Sequence, residues 1–249
     1  HGYECIFGDV IDREIFEKAQ EFLAKIRGDG TLARIFDRYF GYIERVHPTD
    51  VAGFLYRMQT LLPNYRADFV AAQESTGLDW RLLAALAYQE SHWDPVATSA
   101  TGVRGIMMLT EDTADHLRVT NRLDPRQSIL AGGRYLAELV DQLPSEIKHP
   151  DRLWLALAAD NLGMGHMNGA RAIAKGLKRD PDSWYEMKQV LPLLAREKYY
   201  NRLKSGRGRG GEAVIMVENI RTYFDILSRY EPAHKTTAPE FPEYKFTPR

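Results

Sequence analysis

A single carboxylic acid, Glu90, sits near the end of a helical pattern whose other members are leucines and alanines, and a glycine-broken loop follows it. Residues 79–108 read DWRLLAALAYQESHWDPVATSATGVRGIMM. Leu83, Leu86 and Ala87 precede Glu90 at offsets that share one helical face, so the acid points towards the interior. Burial disfavours the ionised form. A carboxyl in that setting keeps its proton near neutral pH, which is what a general acid acting on a poor leaving group such as a sugar oxygen requires. The pattern alone also fits a boundary residue whose head reaches out to solvent. The loop behind the acid favours the chemical reading: Ser99, Gly102 and Gly105, with Pro95 at the head, suit a backbone that turns tightly and approaches a ligand closely.

Other candidate chemistries are weaker. Residues 206–211 read GRGRGG and satisfy G-x-G-x-x-G, but the polar residues 201–205 precede them instead of a strand, so no dinucleotide fold is implied. Lys204, Arg207 and Arg209 fit either a solvated loop or an anion site. The seven histidines show no metal-binding spacing, and His92 with Asp94 is too sparse for a site, so no metal and no cofactor are expected. No G-x-S-x-G elbow appears, and the one cysteine, Cys5, has a bland setting and excludes an internal disulfide. Most glycosidases use two carboxylates about 5 to 10 Å apart. Asp94 is near Glu90 but reads as a turn residue beside Pro95. Asp160 is of more interest, because it ends the most apolar helix of the chain.

The elements that position these groups all have a helical period. Residues 11–26 and 32–40 form two helices separated by Gly28-Asp29-Gly30. Thr49 or Asp50 caps a third, and Pro63 interrupts the pattern before Tyr65, Phe69 and Val70. Asp79 caps the Glu90 helix, which runs from about Trp80 to about His92 before Pro95 forbids continuation. Thr110 caps a short helix to about Leu117. Asp124-Pro125-Arg126-Gln127 reads as cap, first-turn proline and capping-box partner of a long helix. Gly132 and Gly133 cost stability within it, so another backbone is expected against them. Residues 151–162 form the buried centre, followed by a helix over about 165–175 and a last one over 212–227. Beyond Tyr230 the Pro-rich tail is expected to be extended or disordered.

Composition is that of an ordinary globular chain: 249 residues, 44% hydrophobic, 27% charged, formal net charge -1. No global field points to nucleic acid. The longest apolar run, about Leu153 to Ala159, falls far short of the roughly 20 residues of a membrane span.

The order Glu90-Ser91, Pro95, Ala97, Ser99, Gly102, Gly105, Met107, Leu109 resembles the E-S-x-x-x-P-x-A-x-S-x-x-G-x-x-G-x-M-x-L signature of the lytic transglycosylase domain, which cleaves peptidoglycan. The resemblance implies an all-α, lysozyme-like domain of the goose-type or soluble lytic transglycosylase kind, with a substrate groove. It implies Glu90 as acid and then base, and a substrate-binding set of Ser99, Gly105, Met107, Met108, Asp160 and Asn161. The partners implied are glycan strands and muropeptides. Residues 25–41 are similar to the closing segment of periplasmic solute-binding domains, as in the two-domain, membrane-bound F type of this family. The expected organisation is therefore 1–48 as the remnant of such a domain, 49–232 as the catalytic domain and 233–249 as a tail. A regulatory N-terminal domain is then missing from the fragment, and the location implied is periplasmic, at the inner face of the outer membrane. Three features depart from the family, the first being Met108 where a Gln is common. Its A-Y-N-x-G becomes Ala159-Asp160-Asn161-Leu162-Gly163, and its Y-G-Y-A-R-G-G-E becomes residues 205–212, SGRGRGGE, beginning at Ser205. They leave open an alternative, a catalytically weak module that binds peptidoglycan.

Overall fold

Side-chain caps at Asp79, Thr110 and Asp124 start helices at the places their sequences indicate. The computed structural model describes residues 13–40 and 48–235. The helices are α1 (Arg13–Gly28), α2 (Thr31–Phe40), α3 (Pro48–Thr60), α4 (Leu62–Thr76), α5 (Trp80–Ser91), α6 (Glu111–His116), α7 (Pro125–Gln142), α8 (Asp151–Leu162), α9 (Met164–Gly176), α10 (Trp184–Val190), α11 (Glu197–Tyr200) and α12 (Gly210–Tyr230), with a 3-10 turn at Leu191–Ala195. Among the described residues the only extended pairings are the isolated bridges Thr98–Arg104 and Arg104–Leu109. The chain is all-α. Cys5 and Ile11 lie outside the described residues.

Two compact units divide the chain, His1–Gly41 and Tyr42–Arg249. The first contains α1 and α2, where Ile26 is buried while Ile15, Phe16, Phe22, Ile35 and Phe36 are exposed. The second is built around α5 and α8. All residues of α5 from Trp80 to Tyr88 are buried, as are those of α8 from Leu153 to Ala159. α7 packs on α4, α5 and α8, and α12 covers α5, α8 and the 3-10 turn. Truncating a fully buried leucine of this core, such as Leu83, to alanine costs about 2–5 kcal/mol.

Asp79 accepts from the Arg81 amide at 2.9 Å and opens α5. α5 ends at Ser91 with His92 as its C-cap, as the sequence indicates, but the cause differs from the expected one. Pro95 is not the stop: His92 and Trp93 already take left-handed backbone conformations, φ 54° and 62°. The reason is the Trp93 ring, which turns into the core beside Phe54 and Tyr88 and donates from Nε1 to the Ala84 carbonyl at 2.8 Å. Burying an indole with its N–H satisfied outweighs the left-handed penalty of about 1–2 kcal/mol.

The pattern is interrupted at Pro63 as expected, α3 ending at Thr60 and α4 starting at Leu62, with the proline in the first turn of α4. Two further expectations are corrected. Asp124 accepts from the Gln127 amide at 2.8 Å, but Gln127 does not return the bond; its Oε1 accepts from the Thr120 amide and hydroxyl, both 3.0 Å, and holds the preceding loop instead. Gly132 and Gly133 are pressed by side chains and not by a backbone. A Cβ on Gly132 would meet Met107 at 2.6 Å, and one on Gly133 would meet Ala72 and Leu83 at 3.4 Å.

Residues 231–235 continue beyond α12 without helix, and the first of them are fixed; the rest of the expected tail, 236–249, lies outside the described residues. The Trp80 indole donates to the Pro232 carbonyl at 3.2 Å, Arg81 to the Glu231 carbonyl at 3.3 Å, and Gln73 to the His234 carbonyl at 3.0 Å. Glu231 also pairs with Arg66 at 2.5 Å. Disorder therefore does not describe residues 231–234, which strap α4 to the start of α5.

Candidate active site

Two helices leave the core with a carboxyl in the last turn. In α5 the buried run ends at Tyr88 and Glu90 is half-buried; in α8 it ends at Ala159 and Asp160 is half-buried. Among the described residues neither side chain has a hydrogen bond or an ion pair. Leu83 packs on Gly133 of α7, and Glu90, two turns on, shares its face, so the acid lies on the α7 side of α5.

Burial pushes the Glu90 carboxyl up to about 8, and the charge of Asp160 adds to the effect. Burial pushes Asp160 to about 7. Both groups stand at the carbonyl ends of their helices, where the backbone dipoles also disfavour an anion. Near neutrality Glu90 is therefore an acid with a proton to give, in a place where that proton is not already engaged.

The glycine-broken loop is tied to α5 at one end and to α7 at the other. The Ser91 hydroxyl donates to the Ile106 carbonyl at 2.7 Å, and the Met107 amide donates to the Ser128 hydroxyl at 3.2 Å. Arg122 reaches across with one guanidinium nitrogen to the carbonyls of Gly102 and Leu109, at 2.9 and 3.0 Å. Gly105 is required by its surroundings. Its φ is 83°, and a Cβ there would lie 1.8 Å from the Arg122 carbonyl oxygen. The Gly105 amide donates to the Ala97 carbonyl at 2.9 Å.

The expected substrate-binding residues fall into distinct places. Gly105 and Met107 are buried, and the Met107 side chain fills the space over Gly132. Met108 is half-buried with a left-handed backbone, φ 46°. The Ser99 hydroxyl pairs with that of Thr101 at 2.8 Å within the loop's own turn. Asn161 is exposed, directly after Asp160. Asp94 is an exposed turn residue that accepts from the Val96 amide at 3.0 Å. The 206–211 glycines follow the short α11 and not a strand, so the dinucleotide pattern there is accidental.

Sequence reasoning missed two residues. Tyr135, half-buried on α7, lies within the field of Asp160: burial raises its hydroxyl pKa, and the charges of Asp160 and Glu138 raise it further. It is one turn on from Gly132, which carries Met107. Only its helical offset from the two glycines could have pointed to it. Ser91 was quoted in the signature without a role, and its tie to Ile106 fixes the loop to the helix that carries the acid.

Residues 68–182 match the family described as "Transglycosylase SLT domain". Proteins named membrane-bound lytic murein transglycosylase F are similar over most of the chain. The one from Methylobacillus flagellatus is 54% identical over 230 residues, covering 92% of this chain and 49% of the relative. The one from Nitrosospira multiformis is 52% identical over 233 residues, 94% of this chain and 49% of the relative. The one from Thiobacillus denitrificans is 52% identical over 213 residues, 86% and 45%. The chain thus spans about half the length of these relatives. The SLT match spans both α5 with its acid and α8 with Asp160, so the part of the chain that carries both carboxyls is the part similar to the transglycosylase SLT family.

Proposed function

We propose that the chain is the catalytic part of a lytic murein transglycosylase, cleaving the β-1,4 bond between N-acetylmuramic acid and N-acetylglucosamine without water. The observation that carries this reading is Glu90: half-buried, unpaired and protonated up to about pH 8. Its proton goes to the glycosidic oxygen as the C1–O bond breaks, and the N-acetylglucosamine side leaves as an alcohol. The neighbouring acetamido carbonyl of the substrate stabilises C1 meanwhile, as in the substrate-assisted exceptions to the two-carboxylate rule. The Glu90 carboxylate then takes the proton of the muramoyl 6-hydroxyl while that oxygen bonds to C1, which forms the 1,6-anhydro ring. The cycle returns the proton to Glu90, and one residue of high pKa serves both steps.

In this reading the loop 97–109 carries sugar contacts through Ser99 and Met108, the buried Gly105 and Met107 support its floor, and Asn161 at the end of α8 adds a further contact. Residues 1–48 belong with an N-terminal solute-binding-like domain that regulates the whole protein, and the site of action is the periplasmic face of the outer membrane. Residues 231–234 count with the catalytic domain, because they are bonded to α4 and α5.

The test is digestion of purified sacculi in 18O-labelled water with mass spectrometry of the products. Anhydromuropeptides free of label are expected. Labelled reducing ends would mean hydrolysis with Asp160 activating water, and sacculus binding without release would mean a binding module. Glu90→Gln is expected to abolish release while sacculus binding persists.

A further inference from the structure

Between residues 196 and 209 the chain carries six Lys and Arg against one acid, although its formal net charge is -1, so positive charge is concentrated there. Arg196, Lys198, Arg202, Lys204, Arg207 and Arg209 are all exposed. Arg209 pairs with Glu212 at 3.4 Å, and the one acid, Glu197, accepts from the Asn201 side-chain amide at 3.3 Å. Among the described residues Arg202, Lys204 and Arg207 have no ion pair. The segment lies beyond the family match of residues 68–182, and the cleavage above gives it no task.

The loop that carries these three cations is fixed at both ends. The Leu203 and Gly206 amides donate to the carbonyls of Tyr200 and Leu203, at 3.0 and 3.1 Å, so Arg202, Lys204 and Arg207 stand on two successive turns. Leu203 fills the space over Gly169 of α9, where a Cβ would meet it at 3.0 Å, and a Cβ on Gly165 would meet Ser205 at 3.9 Å. The Gly208 amide donates to the Leu194 carbonyl at 3.1 Å, and a Cβ on Gly208 would lie 2.8 Å from the His166 ring. His166 in turn faces the Leu162 carbonyl with Nδ1 at 3.0 Å. Only Gly163 separates α8 from α9. Contacts therefore run from the loop through His166 to the last turn of α8, which holds Asp160 and Asn161. A charge presented on so fixed a backbone loses little freedom when a ligand arrives.

We propose that Arg202, Lys204 and Arg207 form a subsite for the free carboxylates of the peptide stems on the glycan strand, so that the chain favours strands whose stems keep their negative charge. The inference deepens the proposed cleavage and rests on it for the identity of the strand. Charge complementarity selects the ligand. Each guanidinium can take a carboxylate with two parallel N–H···O bonds, and the Lys204 ammonium adds a point charge between them in sequence. Placement decides between a strand and an anionic bilayer. The loop adjoins Asn161, read above as a sugar contact, so a stem attached to a bound sugar reaches the cations as part of the same binding event, at high effective concentration.

The test is equilibrium binding, which needs no turnover and is made in the Glu90→Gln chain. Its probes are soluble glycan strands with intact stems and the same strands after their carboxylates are converted to carboxamides. The carboxylate strands are expected to bind about tenfold more tightly in low salt, with the advantage fading as salt rises. Adding Arg202→Gln, Lys204→Gln and Arg207→Gln together is expected to remove the difference, leaving both strands bound as weakly as the carboxamide form. All three side chains are exposed, so the fold should tolerate the change. Equal binding of the two strands before the triple substitution, or a preference that survives it, overturns the proposal. Phosphatidylglycerol vesicles that bind the chain only while the three cations are present, with the strand preference untouched, would also overturn it and give the patch to a membrane. A Glu90-bearing chain that releases no anhydro products would refute the transglycosylase reading alone, because the binding comparison does not depend on cleavage.

Discussion

Replacing Glu90 with glutamine is expected to make the protein more stable as well as inactive, and the gain should depend on pH in a definite direction. The ordinary pKa of 4.5 is raised to about 8 in the folded chain. Below pH 4.5 both folded and unfolded chains carry the proton, and the side chain contributes nothing to the difference. Between 4.5 and 8 the unfolded chain releases the proton and the folded chain keeps it, so stability falls as pH rises through this window. Each pH unit is worth about 1.4 kcal/mol, which at pH 7 gives a penalty of up to about 3 kcal/mol, and about 2–3 kcal/mol for a half-buried group. Glutamine has the same shape and no proton to lose. Its melting temperature should therefore exceed that of the native chain by roughly 5–10 °C at pH 7 for a domain of this size, and the two should converge at pH 4. Paired thermal melts across pH 4–8 are the assay. A variant no more stable than the native chain at pH 7, or a gap that does not change with pH, would refute the reasoning.

Other substitutions test the frame around the acid. Gly105→Ala places a methyl within 1.8 Å of a backbone oxygen at a φ of 83°, and should cost about 3–5 kcal/mol in urea unfolding along with most sacculus cleavage. Glu218 is fully buried between Arg221 at 2.7 Å, the Trp184 indole at 2.7 Å and Lys188 at 3.6 Å. Desolvation pushes its carboxyl up, but the two cations and the indole outweigh it and hold it below the ordinary value. Its ionised form thus stabilises the fold above about pH 4.5, and that contribution is lost as acid takes the pH down through the folded value. Glu218→Gln removes the buried anion that faces Arg221 and Lys188 and should cost about 3–5 kcal/mol at pH 7, with the cost shrinking in acid, as urea midpoints will record. Ending the chain after Tyr230 removes the bonds from Trp80, Arg81 and Gln73 to residues 231–234. At about 0.5–1.5 kcal/mol per bond, the melting temperature should fall by several degrees.

The parts of the site that were legible in the sequence are those written within one helical turn or one tight loop. Asp79 as cap, the leucine face leading to Glu90, the unbroken apolar run of 153–159 ending at Asp160, and the glycine at 105 each act over a few residues, so spacing alone reports them. The groups that hold these pieces together come from far along the chain. Arg122 ties the loop through its guanidinium, Ser128 caps the Met107 amide, and Met107 fills the notch at Gly132; none of these pairings has a local signature. Tyr135 was hidden for the same reason, since an aromatic residue on a long amphipathic helix reads as packing. Trp93 stopped α5 ahead of the proline because a core contact overrode a backbone preference, and periodicity does not contain that contact. The strap at 231–234 uses backbone carbonyls as acceptors, which any residue supplies, so its polar, proline-rich composition read as a free tail.

The central claim is that one carboxyl holds its proton at neutral pH, and titrating that carboxyl tests it most directly. In chain labelled with 13C at the glutamate side-chain carboxyl, with Glu90→Gln used to assign the signal, the Glu90 resonance should stay in the protonated position at pH 7 and move near pH 8. A Glu90 signal that titrates near 4.5 with the other glutamates would contradict the account.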